Sequence, residues 1–161
     1  MKKFKKRIYK NIAEFFNDLK YMSKNLKKIK LIQQGEIIND NFRQRLMMVV
    51  TVVNDCRYCT YYHSRMALES GITSDELDSL LSGTVENSPV EEKIALLYAQ
   101  HWADNNGNPD TDFNNKLIET YGREKAEIIN ITLRIIRFGN LAGNTLDFFL
   151  YKITFGLLGN N

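Results

Sequence analysis

Two cysteines and a histidine fall within eight consecutive residues, Cys56-Arg57-Tyr58-Cys59-Thr60-Tyr61-Tyr62-His63. On a helix, positions i, i+3 and i+7 share a face, so both sulfurs and the imidazole project together, with Cys59 and His63 direct neighbours. A thiol attacks as its thiolate, starting from a free pKa of about 8.5. A helix N-terminus, the Arg57 guanidinium and a histidine able to take the proton favour the thiolate, whereas the negative charge of Asp55 opposes it. The chemistry this permits is thiol–disulfide exchange or thiol attack on an electrophile. The same residue types admit blander roles. The cysteines can simply be packing groups, as free Cys commonly is. A zinc set of Cys56, Cys59, His63 and His101 is a further option, although it lacks a second closely spaced ligand pair. Haem attachment would need histidine directly after the second cysteine, where Thr60 stands.

The elements that must position these residues read as helices. Ile8, Ile12, Phe15, Leu19, Met22, Leu26 and Ile29 form an apolar stripe at helical spacing, ended by Gly35. Phe42 to Val53 is apolar nearly all round, which predicts a buried central helix. The β-branched run Val49–Val53 taken alone would also suit a strand. Asn54-Asp55 offers an N-cap for a helix from Cys56 to about Ser70, closed by Gly71. Thr73-Ser74-Asp75-Glu76 and Ser88-Pro89-Val90-Glu91 read as capping boxes, the second with Pro89 at the first helical position. Phe113, Leu117 and Tyr121 predict a helix closed by Gly122. A long helix then runs from Arg123 to Phe155, bent near Gly139 and Gly143. The fold class is all-α, a single-domain helical bundle.

The 161 residues, 43% hydrophobic and 25% charged, exclude disordered and low-complexity classes. Two cysteines exclude a disulfide-dense secreted scaffold. Residues 1–30 carry 11 Lys/Arg against 2 Asp/Glu. That basic start reads as the solvated face of an amphipathic helix rather than as a nucleic-acid or membrane-binding element. It does not lead into a signal-peptide core, and no run reaches membrane-spanning length. These features predict a cytoplasmic protein. Asn140 and Asn144 are expected to face solvent, Tyr58 to lie in the core, and His101 to be structural.

The segment Asn54-Asp55-Cys56-Arg57-Tyr58-Cys59-Thr60-Tyr61-Tyr62-His63-Ser64-Arg65-Met66-Ala67 resembles the alkylhydroperoxidase D and carboxymuconolactone decarboxylase superfamily. The apolar helix before it, the Gly71–Leu77 turn after it and the Glu92–Ala99 helix are similar as well. The order of elements agrees over roughly residues 40–150, and the motif is sharp over 54–71. The resemblance implies a helical domain at 36–161 that assembles as a homotrimer or hexamer, while the basic N-terminal helix at 1–35, expected to pack on that domain, lies outside the resemblance. It implies a thiol peroxidase or disulfide oxidoreductase that needs no cofactor. Its substrate would be a hydroperoxide or disulfide, and its reductant a dithiol of the dihydrolipoamide type. By the same resemblance Cys59 is the nucleophile, Cys56 the resolving thiol and His63 part of a proton relay. The relay glutamate of the family falls at Gln44, a neutral amide that can position an imidazole but cannot take its proton. Two alternatives follow: a lactone decarboxylase acting through His63, and a binding scaffold without activity.

Overall fold

Short polar side chains mark where several helices begin. In the computed structural model, which describes residues 3–159, the Asn11 carboxamide accepts the Glu14 N–H, Asn39 accepts that of Phe42, and Thr73 Oγ1 accepts that of Glu76. Each satisfies a donor that the first helical turn leaves without a partner. The helices are α1 (Ile12–Lys24), α2 (Leu26–Gln34), α3 (Asp40–Asn54), α4 (Arg57–Glu69), α5 (Ser74–Leu81), α6 (Lys93–Asp104) and α7 (Thr111–Ile153). No strand occurs among the described residues, and the chain is an all-α single-domain bundle.

α3 is the axis of the bundle and touches α4, α5, α6 and α7. Leu46, Met48 and Val50 are wholly buried, and the Val49–Val53 run continues as helix because burial on most sides outweighs its β-branched preference. Arg45 is buried in this core, held by Glu76 at 2.6 Å and Glu92 at 3.2 Å. A buried guanidinium is tolerable only with such partners.

Four boundaries differ from the sequence expectation. The N-terminal stripe is two helices, α1 and α2, because the Asn25 carboxamide turns back to the Tyr21 carbonyl at 2.8 Å and ends the first. α6 starts at Lys93 rather than near Pro89. Glu92 is drawn to Arg45, and the preceding N–H groups make tight turns, Glu92 to Pro89 and Lys93 to Val90. α7 stays helical through Gly139 and Gly143, and its break is at Gly122, whose φ of 76° places it where a side chain would be strained. The fourth difference, the cap of α4, belongs to the site. The ends of the expected spans 1–35 and 36–161, residues 1–2 and 160–161, lie outside the described residues. Among the described residues no helix is long and apolar enough to cross a membrane.

Candidate functional site

The turn between α3 and α4 is where the sequence becomes chemical. Asp55 takes a left-handed conformation, φ 53° and ψ 50°, and closes α3. Asn54, expected to cap α4, is instead the last residue of α3, and its carboxamide donates to Asn140 Oδ1 at 3.1 Å. The cap of α4 passes to Cys56, whose Sγ accepts the Cys59 N–H at 3.4 Å. A sulfur therefore occupies the place usually taken by a side-chain oxygen, at the positive end of the helix dipole.

That placement separates the two thiols. Cys56 is buried and Cys59 half-buried, and neither is in a disulfide. The Cys59 thiol acting as donor holds the Cys56 pKa below its ordinary value against the opposing effect of burial, helped by the Cys59 N–H and the Asn140 side chain. The same sulfur–sulfur contact, together with burial, pushes the Cys59 thiol up. Within the pair, hydrogen bonding thus favours the negative charge on Cys56 and leaves the proton on Cys59.

His63 sits in the opposite kind of environment. Its Nδ1 lies 3.0 Å from Gln44 Oε1, and Gln44 Nε2 faces Asp40 Oδ1 at 3.4 Å. A carboxylate only accepts, so it takes the amide NH₂ and leaves the amide oxygen toward the imidazole. Nδ1 must then carry the hydrogen, which leaves Nε2 as the open base. Burial, and next the nearby Arg43 guanidinium, lower the His63 pKa from 6.5 to about 4, so the ring is neutral at pH 7. A cleft of about 330 Å³ opens beside it, walled mainly by Ile29, Ile32, Met47, Met66 and Ile135, with Gln44, His63 and Arg43 as polar members.

The structure thus brings Gln44 against His63 and Cys56 against Cys59. Among the described residues no direct hydrogen bond joins His63 to either sulfur. Sequence reasoning missed the floor of the site. Asn140 and Asn144, expected at the surface, are wholly buried on α7, as is Asp147. Tyr58, expected in the core, is exposed, and its hydroxyl donates to Asp147 Oδ1 at 2.9 Å. Arg57 and Lys6 reach the same carboxylate, each at 2.8 Å. Burial raises the Asp147 pKa, but these partners outweigh it and hold the carboxyl below its usual range. A spacing of i, i+4 and i+7 for Asn140, Asn144 and Asp147 was the available signal, a polar row continuing the apolar stripe of Ile129, Leu133 and Ile136. His101 is structural, stacked on Phe113 at 4.0 Å and paired with Asp110 at 3.1 Å. No group of three or more His, Cys, Asp or Glu side chains among the described residues could hold a metal, so the four zinc donors are not assembled.

Residues 30–99 match the model of the carboxymuconolactone decarboxylase family. The matched span holds Gln44, Cys56, Cys59 and His63, and it bears out the resemblance carried by the motif. No curated protein and no solved structure matches the chain.

Proposed function

We propose that this chain, whose residues 30–99 match the carboxymuconolactone decarboxylase family model, is a dithiol–disulfide oxidoreductase with peroxidase activity. The observation that carries the reading is the sulfur-capped start of α4, where one thiol of an adjacent pair is stabilised as thiolate. Cys59, the more accessible sulfur, is the nucleophile, and buried Cys56 is the resolving thiol. Cys59 must first lose its proton, and the Cys56 thiolate is the acceptor beside it. The open Nε2 of His63 is the further acceptor in the relay, with Gln44 as its positioning group.

Attack on a hydroperoxide forms an S–O bond as the O–O bond breaks. The thiol is oxidised to sulfenic acid, and the peroxide is reduced to an alkoxide that takes a proton and leaves as the alcohol. The Cys56 sulfur then attacks the sulfenic sulfur, closing a disulfide and releasing water. A dithiol donor of the dihydrolipoamide type returns two electrons and two protons by exchange. No bound cofactor takes part.

One equivalent of hydroperoxide should convert both thiols to an intramolecular disulfide that dithiothreitol reopens, and Cys59→Ser should abolish turnover. Peroxide turnover that survives Cys59→Ser overturns the proposal. A second reading, a lactone decarboxylase acting through His63, draws on one observation. The cleft is lined by Gln44 and His63 and by neither cysteine. Lactone turnover that survives replacement of both cysteines by serine would establish it. Ordinary thiol pKa values with no turnover of either kind would indicate the binding scaffold.

We further propose that the chain divides into a basic N-terminal segment, 1–35, and a helical domain, 36–161, and that it works in the cytoplasm, where thiols stay reduced. Neither a membrane nor a nucleic acid is among its proposed partners. A homotrimer or hexamer is the proposed assembly. Phe149, Ile153 and Phe155 on and after the end of α7 are exposed, as are Ile12 and Phe16 of α1, and Ile12 and Phe149 share one groove. A second copy would cover this apolar surface. Tyr151 on the same helix is buried under Phe4 and is not part of this surface. Light scattering that returns a monomer at micromolar concentration refutes the assembly.

A further inference from the structure

Asn140, Gly143, Asn144 and Asp147 stand at i, i+3, i+4 and i+7, so one face of α7 meets the thiol turn. Three of the four are polar, wholly buried and bonded to the residues around that turn. The Asn140 carboxamide accepts from Asn54 Nδ2 at 3.1 Å, and Asn144 donates to the Asn54 carbonyl at 2.7 Å. Asp147 accepts from Arg57 at 2.8 Å and from the Tyr58 hydroxyl at 2.9 Å. On both sides of position 143, α7 is fastened to the end of α3 or the start of α4.

Gly143 is the member of this face with no side chain to bond. Its backbone does not ask for glycine, because α7 is regular there and carries no positive φ. Glycine inside a helix loses more backbone freedom on folding than alanine does, so it weakens the helix. What a side chain would meet accounts for its presence. A Cβ at 143 would stand 3.3 Å from Cys56 Sγ, closer than such atoms comfortably pack. It would stand 3.5 Å from Tyr58 Cδ2, an ordinary contact. Gly139, one turn earlier, has only open space in the same place. Cys56 is wholly buried, and its Sγ also accepts the Cys59 N–H at 3.4 Å. The sulfur therefore touches both the backbone of α7 and the first turn of α4.

We propose that Gly143 is a positioning residue for Cys56, its bare backbone seating the sulfur at the Cys59 N–H, where it caps α4 and from which it closes on Cys59. The part in closing the disulfide rests on the reading of Cys56 and Cys59 as a redox pair. Position 143 lies outside the family-matched span. Because α7 is fastened at 140, 144 and 147, a methyl at 143 displaces the sulfur rather than the helix. A sulfur moved off the Cys59 N–H loses a hydrogen bond that favours its charged form. The methyl adds no charge, and Asp55, Arg57, Tyr58, His63, Asp147 and Lys6 around the turn keep theirs.

The test needs no turnover, so failure of the peroxidase reading would be seen separately. Gly143→Ala is compared with Gly139→Ala, the same change in the same helix against open space. Denaturant unfolding of the reduced chains is followed with and without Cys56→Ala, which closes a double-mutant cycle on the sulfur. Gly139→Ala should raise the unfolding midpoint in both backgrounds. Gly143→Ala should lower it, or raise it less, while the sulfur is present, and should match Gly139→Ala once Cys56→Ala removes it. Thiolate absorbance of the reduced chain, titrated in the ultraviolet, is the second readout. Gly143→Ala should cut the ratio of thiolate to thiol at the more acidic cysteine about threefold, a rise of about half a unit in its pKa. Gly139→Ala should leave that ratio unchanged. A Gly143→Ala chain that behaves like Gly139→Ala in either readout overturns the proposal. A midpoint loss that persists in the Cys56→Ala background also overturns it, because the methyl would then meet something other than the sulfur. If Gly143→Ala alone does not fold, the chain carrying both Gly143→Ala and Cys56→Ala must fold, and its failure overturns the proposal as well.

Discussion

The two halves of the site solve opposite problems. On the sulfur side, the start of α4 gives Cys56 the Cys59 N–H and the Cys59 thiol as donors, with the Asp147 cluster of α7 securing the turn. On the imidazole side, α2, α3 and α4 enclose His63 in an apolar cleft with an amide on Nδ1 and a guanidinium nearby. One environment stabilises an anion and the other suppresses a cation. A thiolate–imidazolium ion pair is therefore not the resting state at neutral pH. The thiolate owes its stability to hydrogen bonds, and His63 is held as a neutral base for a proton in transit.

The strongest break in this contrast is at the foundation of the sulfur side. Asp147→Ala leaves Lys6 without its buried carboxylate and releases Arg57 and Tyr58. Removing one partner of such a buried cluster costs about 3–5 kcal/mol, read by denaturant unfolding. A loss no larger than that of an exposed ion pair would show that solvent reaches these charges.

The imidazole side should reveal itself through pH. The His63 pKa is lowered on folding, from 6.5 to about 4, so the unfolded chain binds a proton that the folded chain refuses. Stability should therefore be unaffected by this group above pH 6.5, fall as the pH drops, and level out below about 4. The amplitude is about 3 kcal/mol. The difference between parent and His63→Gln, followed by denaturant unfolding across that range, isolates it from the carboxylates. A parallel pH dependence in the two chains would contradict the apolar description of the cleft.

The smallest effect makes the two halves alike. Gln44→Glu places a carboxylate on His63 Nδ1, which should raise the imidazole pKa and let a cation form near Cys59. The Cys59 pKa should then fall, and peroxide turnover should rise about tenfold or less, partly offset by the lower nucleophilicity of a more acidic thiol. Some stability should be lost, since Gln44 is buried. No change in His63 titration by NMR would place the Gln44 side chain away from the ring in solution.

Much of this was legible in the chain. Thr73 caps α5 as its pattern requires, Gly122 breaks the last helix, and α3 is buried as its nearly continuous apolar run implies. These features are local, decided by the side chain's own reach or by the period of the helix. The pairing of Gln44 with His63 was also recoverable, through the family pattern. The cap of α4 was not. Asn54 and Asp55 have the better capping side chains, but Asn140, distant in sequence, claims the Asn54 carboxamide, and the left-handed Asp55 closes α3. Asn140 and Asn144 looked like surface residues for the same reason, since an asparagine's composition does not say whether a partner awaits it inside.

The sequence by itself determined the helices, their apolar faces and the cluster of two thiols and an imidazole, because periodicity and spacing act over a few residues. Only the tertiary structure decided how charge is distributed within that cluster. The state of Cys56 depends on α7, some 80–90 residues further along, and that of His63 on walls drawn from α2, α3, α4 and α7. A pKa is set by the burial and the partners that long-range packing delivers, and no local pattern encodes those.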